Sequence, residues 1–415
     1  MRKACVLSAL ILTAFLAQNI PARETQKLLS LENCLELAGK KSEVLKIEIE
    51  RQKQAVFRLN QARGAVLPAI DYIYLKTYRD SAGGLYNSEQ ADSKFTLTQP
   101  LFNGFKNIYG IKAAKSLLVK EELLYKVIYK DFEASVTQSF YSVIQLQTDI
   151  LNIQNMEKLM QDRIADLNER VRLGKSRESE VLVVESQIAT LKAQEENQKG
   201  NLANALEALS FLTGIDSSEL NIVDDSSQIQ SVEIIDNYLV KAKNRPEIEA
   251  AKQDVLFQTN AVSAAKGSHL PSLDLDGSYY TNRSGSLSSS NWEALFTLDM
   301  PLFQGGIIKG KINEENSLLN QAKDNLSLIE REAFSLVKKY YQAAVSSTRQ
   351  VSAYKDAYEK AEKSYQIQLK DYRFGLVNNL DVIQAMITML DAKRNYDKAL
   401  VQAKIDKNNL EIAVK

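Results

Sequence analysis

The sequence predicts a mostly α chain with a transmembrane β part, in which long coiled-coil helical hairpins accompany four β-strands that contribute to a barrel shared between chains. Three observations predict this. Two stretches of more than sixty residues lack both Gly and Pro, four segments of about ten residues alternate polar and apolar side chains, and the pattern is written twice in 415 residues.

The N-terminal 22 residues begin with Arg2 and Lys3, continue through the apolar run Val6 to Ala17, and reach the small residue Ala22 just before the first acid, Glu24. That order is expected of a secretory signal peptide, whose apolar part is too short to span a bilayer. Its removal takes Cys5 away and leaves 50 basic against 52 acidic residues, net −2, so no charge footprint points to nucleic acid. Cys34 and His269 are then the sole thiol and imidazole, which excludes an internal disulfide and any Cys/His metal or catalytic site, and no cofactor is expected. No later stretch offers 18 consecutive apolar residues, so membrane entry must be by strands.

The duplication sets the organisation. Leu67-Pro68 recurs as Leu270-Pro271, Pro100-Leu101-Phe102-Asn103-Gly104 as Pro301-Leu302-Phe303-Gln304-Gly305, and Arg172-Leu173-Gly174 as Arg373-Phe374-Gly375, at offsets of 203, 201 and 201. A unit near 200 residues is too long for a solenoid repeat. The chain therefore reads as a signal peptide over 1–22, a first structural repeat over 23–225 and a second over 226–415.

Within each repeat, the Gly- and Pro-free stretches Ile111 to Leu173 and Lys311 to Phe374 read as single helices of roughly 95 Å. Leu146, Ile150, Ile153, Met156, Met160, Ile164, Leu167 and Val171 recur at spacings of three and four, and Val351, Tyr358, Tyr365 and Tyr372 recur every seven. Such narrow stripes are coiled-coil seams. Gly174 and Gly375 turn each helix into a second amphipathic run, through Val181, Val184, Ile188 and Leu191, and through Ile383, Ile387 and Leu390.

The strands are expected after Pro68 and Pro271 and before Pro100 and Pro301. The first, Ala69 to Arg79, carries Lys76 on the side of Ile70, Tyr72 and Tyr74, and the connections Asp80 to Asp92 and Asn282 to Ser290 read as loops. Tyr72, Tyr74, Tyr78, Tyr86, Tyr279, Tyr280 and Trp292 cluster here, as aromatic side chains do at a bilayer interface. Four strands cannot close a barrel, since the smallest outer-membrane barrels need about eight. Three chains would supply twelve and leave a wet bore, which suits Asp274, Asp276, Glu293 and Asp299 better than the filled interior of an eight-stranded dimer.

These residues resemble the TolC family of outer-membrane efflux proteins, from Leu31-Glu32-Asn33-Cys34-Leu35-Glu36-Leu37-Ala38 through both Leu-Pro and both Pro-Leu-Phe-x-Gly signals to Asp381-Val382-Ile383 and the final helix. The resemblance implies a homotrimer with a 12-stranded barrel in the outer membrane of a Gram-negative type envelope and a 12-helix periplasmic tunnel. Its tip would meet a periplasmic adaptor and, through it, an inner-membrane pump, in tripartite efflux or type I secretion. The two turns, Arg172 to Leu182 and Arg373 to Ile383, would form that tip, with Arg172, Gly174, Arg373 and Gly375 at the adaptor contact. Asp381 matches an aperture carboxylate and Glu180 is its repeat counterpart. Gln384 stands where some members carry a second Asp. Tyr372 matches a Tyr that helps to hold the tip closed, but Val377 replaces the Arg that follows it.

Other readings weaken on inspection. Gly305-Gly306-Ile307-Ile308-Lys309-Gly310-Lys311 fits a phosphate loop until the next residue, Ile312, where a Mg²⁺-binding hydroxyl is required. Pro100 with Gly104 and Pro301 with Gly305 therefore read as strand-to-helix junctions, His269 as a boundary residue, and Asp381 and Glu180 alternatively as carboxylates complementing a helix dipole. The expected function is a passive outer-membrane exit duct rather than an enzyme. The alternative is a periplasmic coiled-coil adaptor or structural tether without a pore, which explains the helices but not the four duplicated strands.

Overall fold

The computed structural model describes residues 28–79, 88–224, 231–284 and 288–415. The expected signal peptide and Tyr86 lie outside the described residues. The order is β1 (Leu28–Leu29), α1 (Leu31–Lys41), α2 (Glu43–Gly64), β2 (Ala69–Arg79), β3 (Ser88–Asn103), α3 (Lys106–Arg172), α4 (Glu178–Thr213), β4 (Asn221–Ile222), α5 (Ile235–Ala242), α6 (Pro246–Lys266), β5 (Ser272–Asn282), β6 (Trp292–Asp299), α7 (Ile307–Arg373) and α8 (Asn379–Val414). Both long helices have 67 residues and both return helices have 36. Among the described residues no helix is long and apolar enough to cross a membrane.

The chain divides into two units. The sheet unit contains the described residues of 42–135, 229–357 and 399–415, and the hairpin unit those of 1–41, 136–228 and 358–398.

In the sheet unit, β2, β3, β5 and β6 form one antiparallel sheet in that order, so the two strand hairpins meet where β3 pairs with β5. The two hairpins share one register: Ala69 faces Thr98 and Ser272 faces Asp299, positions related by the offsets 203 and 201. Residues that face each other across strands point to the same side of a sheet. One side therefore carries Tyr72, Phe95, Tyr279 and Trp292 in a continuous row, with Ile70, Leu97, Leu275 and Phe296 beside it. The Tyr72 and Phe95 rings lie 5.1 Å apart. The other side carries Thr96, Thr98, Asp274, Asp276 and Thr297, with Thr98 donating to Asp276 at 2.9 Å. One apolar and one polar face is the pattern that meets lipid outside and water inside. Lys76 does fall on the apolar side, where its ammonium lies 5.1 Å from the Tyr78 ring; a long stem can carry such a charge to the headgroup level.

Three expectations about element ends need correction. The connection expected over Asp80 to Asp92 is strand from Ser88 onward, because the ladder with β2 continues through Leu75–Asp92 and Thr77–Gln90 and outweighs the polar composition. β3 also runs through Pro100 to Asn103 instead of stopping before it. The missing N–H sits at a register irregularity between Pro100 and Phe102, where a ladder bond is not needed. The helices, in turn, start before Gly110 and Gly310, at Lys106 and Ile307.

Both strand-to-helix junctions bend through left-handed backbone. Gly104 and Phe105 have φ of 64° and 63°, and Gly305 and Gly306 have 59° and 85°. At Gly104 a second constraint applies: a Cβ there would lie 2.1 Å from the carbonyl oxygen of Gly267, and one at Gly267 would lie 2.2 Å from that of Gly104. His269 closes the 3₁₀ turn Gly267–His269 that leads into β5.

The helical part of this unit packs Tyr238 and Ala242 of α5 against Val337 and Ala344 of α7 and Leu410 and Ala413 of α8. Beside it, α3 and α6 are joined by a partly buried ionic group. Lys130 donates to Glu247 at 3.0 Å and Arg245 donates twice, at 3.1 and 2.8 Å. Burial raises the Glu247 pKa, but hydrogen bonds from Arg245, from its own backbone and from Lys130 overcome it and bring the value down to about 2. A carboxylate depressed on folding stabilises above its unfolded pKa and loses that contribution as pH falls through the folded one. Wild type should therefore lose stability between about pH 4.5 and 2, whereas Glu247→Gln should be weaker at neutral pH and flatter across that window. Urea midpoints of the helical signal at several pH values check this, and parallel curves would reject it.

Candidate functional site: the paired hairpin turns

The turns from α3 to α4 and from α7 to α8 are built alike. The amide of Gly174 donates to Val171 O at 2.9 Å and that of Lys175 to Arg170 O at 2.8 Å; Gly375 donates to Tyr372 O at 3.1 Å and Leu376 to Asp371 O at 3.0 Å. This pair of bonds is the Schellman closure, which needs a left-handed residue at the glycine, here with φ of 69° and 76°.

Below the turns the four helices share one core. Ile153, Met160 and Leu167 of α3 and Val181, Val184, Ile188 and Leu191 of α4 meet Tyr365 and Tyr372 of α7 and Val382, Ile383 and Met386 of α8. The heptad tyrosines thus lie in the seam, and Tyr358 stacks on Tyr396 with ring centroids 6.4 Å apart. Polar pairs border this core: Asp149 accepts from Arg394 at 3.1 Å and lies 3.4 Å from the Lys398 ammonium, and Asn152 donates to Asp397 at 2.8 Å.

Asp381 and Gln384 both lie on the exposed side of α8. Asp381 accepts from the amide of Asn378 at 3.1 Å and its own amide donates to the Asn378 side chain at 3.0 Å, a reciprocal cap of the helix start. Glu180 is half-buried and accepts from Ser176 at 2.9 Å. Asp381 thus caps its own helix start and remains solvent-facing, whereas Glu180 is tied to the turn residue Ser176. Arg172 is exposed and 3.4 Å from Glu169, and Arg373 is exposed beside Gly375. Apolar side chains surround these turns, with Leu173, Phe374, Leu376 and Leu380 all more than half exposed.

Tyr372 is not on that exposed side. Its ring is buried, with the guanidinium of Arg163 at 4.1 Å and that of Arg170 at 4.4 Å. Arg163, 5% exposed, donates through Nε and Nη2 to the Asn379 side-chain oxygen at 2.9 and 2.6 Å and through Nη1 to Asp166 at 2.7 Å. Burial lowers its pKa, while Tyr372 and Asp166 act in the opposite direction. One cation on α3 therefore holds the last turn of α7 and the first residue of α8, itself only 3% exposed. Sequence reasoning missed Arg163; the available signal was a basic residue directly beside Ile164 in an otherwise apolar stripe.

The profile of a family described as "Outer membrane efflux protein" matches residues 34–215 and 241–414, both halves of the duplication. The chain belongs to the outer membrane efflux protein family. Members of this family are channels, and this one is an outer-membrane exit duct with a helical periplasmic part. It is 24% identical over 375 residues to the outer membrane protein TolC of Salmonella enteritidis, covering 86% of this chain and 76% of that protein. It is 23% identical over 393 residues to the alkaline protease secretion protein AprF of Pseudomonas aeruginosa, covering 86% and 79%. The crystal structure of the outer membrane protein VceC of Vibrio cholerae superposes with a TM-score of 0.81 at 17% identity, over 92% of this chain and 95% of that one, and shares its fold. The efflux-protein family as a whole forms trimeric channels that work with adaptors.

Proposed function

We propose that this outer membrane efflux protein acts as a homotrimer whose three four-stranded sheets close one 12-stranded barrel, and that the paired hairpin turns form a periplasmic aperture. The observation that carries this reading is the sheet with one aromatic and one polar face, whose outer strands β2 and β6 have no further strand beside them among the described residues. Such a sheet is stable in a bilayer only when its edges are closed. Each chain then consists of two structural repeats, 23–225 and 226–415, that place their hairpins side by side.

At the aperture, Asp381 and Gln384 of three chains face the lumen. Three carboxylates at a constriction attract cations and repel anions. The exposed Leu173, Phe374, Leu376 and Leu380, with Arg172, Gly174, Arg373 and Gly375, offer an apolar rim with basic edges to a periplasmic adaptor, which links the duct to an inner-membrane pump. Conduction is passive; no side chain performs covalent chemistry.

Planar-bilayer recording of the purified trimer tests this. Discrete conductance steps are expected, and Asp381→Ala should reduce cation selectivity with the steps retained. Unchanged selectivity would remove Asp381 from the constriction, and a chain that forms no conductance would remove the pore.

A further inference from the structure

The duplication contains one contact that each chain makes only once. Gly104 and Gly267 are buried against each other, backbone to backbone, where the end of β3 passes the turn before β5. Their repeat counterparts, at offsets of 201 and 203, are Gly305 and Gly64. Locally the counterparts are the same. Gly305 has φ of 59° against 64° at Gly104. The amide of Leu67 donates to Gly64 O at 2.9 Å, as that of Leu270 donates to Gly267 O at 3.1 Å. Yet Gly305 and Gly64 are exposed, and a Cβ on either would meet nothing within 4 Å among the described residues. The flanking residues differ likewise: Leu302 and Phe303 are 86% and 89% exposed.

The strand edges repeat the asymmetry. β3 has a partner on both sides and extends to Asn103, pairing Phe102 with Leu273 and Asn103 with Ser272. β6, its counterpart, has β5 alone beside it among the described residues and stops at Asp299.

We infer that Gly305 of one chain seats against Gly64 of a second copy, and that β6 pairs with the neighbour's β2 in the register of the β3–β5 ladder. The inference rests on the ring assembly proposed above and specifies its interface. Carrying Thr96–Ser278 and Leu97–Gly277 over by the same offsets sets Thr297 opposite Leu75 and Leu298 opposite Tyr74 of the neighbour. The parity is right without adjustment: Leu298 and Tyr74 both lie on the apolar side, so the lipid-facing surface continues across the junction. In the same register Phe303 meets the neighbour's Ile70, β6 lengthens past Pro301, and the exposed Leu302–Phe303 segment is covered. A second copy is the occupant because the complementary half of the contact, the exposed turn at Gly64, is on this chain's opposite sheet edge.

The test uses the full mature chain in outer-membrane preparations, with the buried Cys34 changed to Ala. A disulfide requires Cα atoms within about 7 Å, which directly opposed residues satisfy and residues displaced by two along the strand do not. Thr297→Cys with Leu75→Cys should give covalent trimers after mild copper–phenanthroline oxidation, while Thr297→Cys with Ile73→Cys or with Thr77→Cys should not. Crosslinking through either displaced pair would overturn the register while leaving the trimer intact; a chain that is monomeric in mild detergent would overturn the assembly itself. Gly64→Ala gives an independent readout. Alone, the chain accepts the methyl group in open space, but against a neighbouring carbonyl at the Gly104–Gly267 spacing it cannot fit. The fraction of trimer surviving a fixed heating step in SDS should fall about tenfold or more, with Gly39→Ala unchanged, and an undiminished trimer would overturn the glycine contact.

Discussion

Gly104→Ala is expected to prevent the sheet unit from folding. The new methyl group would sit 2.1 Å from a backbone oxygen, so no side-chain rotation can relieve it, and φ of 64° adds the strain of a left-handed non-glycine residue. Together these exceed about 4 kcal/mol, the level at which single substitutions unfold ordinary domains. Gly267→Ala should behave alike, since its methyl meets the Gly104 carbonyl. Gly39→Ala, in α1 with nothing within 4 Å, should be neutral or stabilising by up to about 1 kcal/mol. The yield of protease-resistant protein in outer-membrane fractions separates the three. Normal yield of Gly104→Ala would mean that the junction can shift by more than an ångström.

Arg163→Met is expected to loosen the hairpin turns with the rest of the fold intact. It removes two donors from the buried Asn379 oxygen and one from Asp166, and leaves the Tyr372 ring with Arg170 alone. Stranding a buried acceptor costs about 1–3 kcal/mol. Amide exchange at the start of α8, from Leu380 to Met386, should therefore quicken about 5- to 150-fold, while protection in α5 and α6 stays as it was. Arg163→Lys, which keeps the charge but not the planar fork, should fall between the two. If the turns form the aperture, the same variant should also lengthen open dwell times in bilayer recordings; unaltered exchange would show that the clasp is dispensable.

Much of this architecture was legible because it rests on periodicity. A spacing of seven located the tyrosine seam, and Pro68 with the polar connection from Asp80 located Ala69–Arg79 although Lys76 breaks its alternation. What escaped were features set by partners distant in sequence. β3 crosses Pro100 because β5 lies beside it, and composition alone carries no trace of that neighbour. Gly110 and Gly310 lie inside helices whose length absorbs their low propensity. Among the aperture candidates, Asp381 and Gln384 share an exposed side, but Tyr372 was placed by family likeness and is buried under Arg163, a contact between residues 209 positions apart in the chain.

The aromatic row carries a practical consequence. Trp292 is the sole tryptophan in the chain, stands at the end of that row, and is 69% exposed. Its indole is therefore a native optical reporter on the apolar face of the sheet, in a protein whose long helices are otherwise spectroscopically silent in tryptophan emission. Insertion into vesicles would register as a blue shift, and brominated acyl chains would read its depth by quenching, with no label attached.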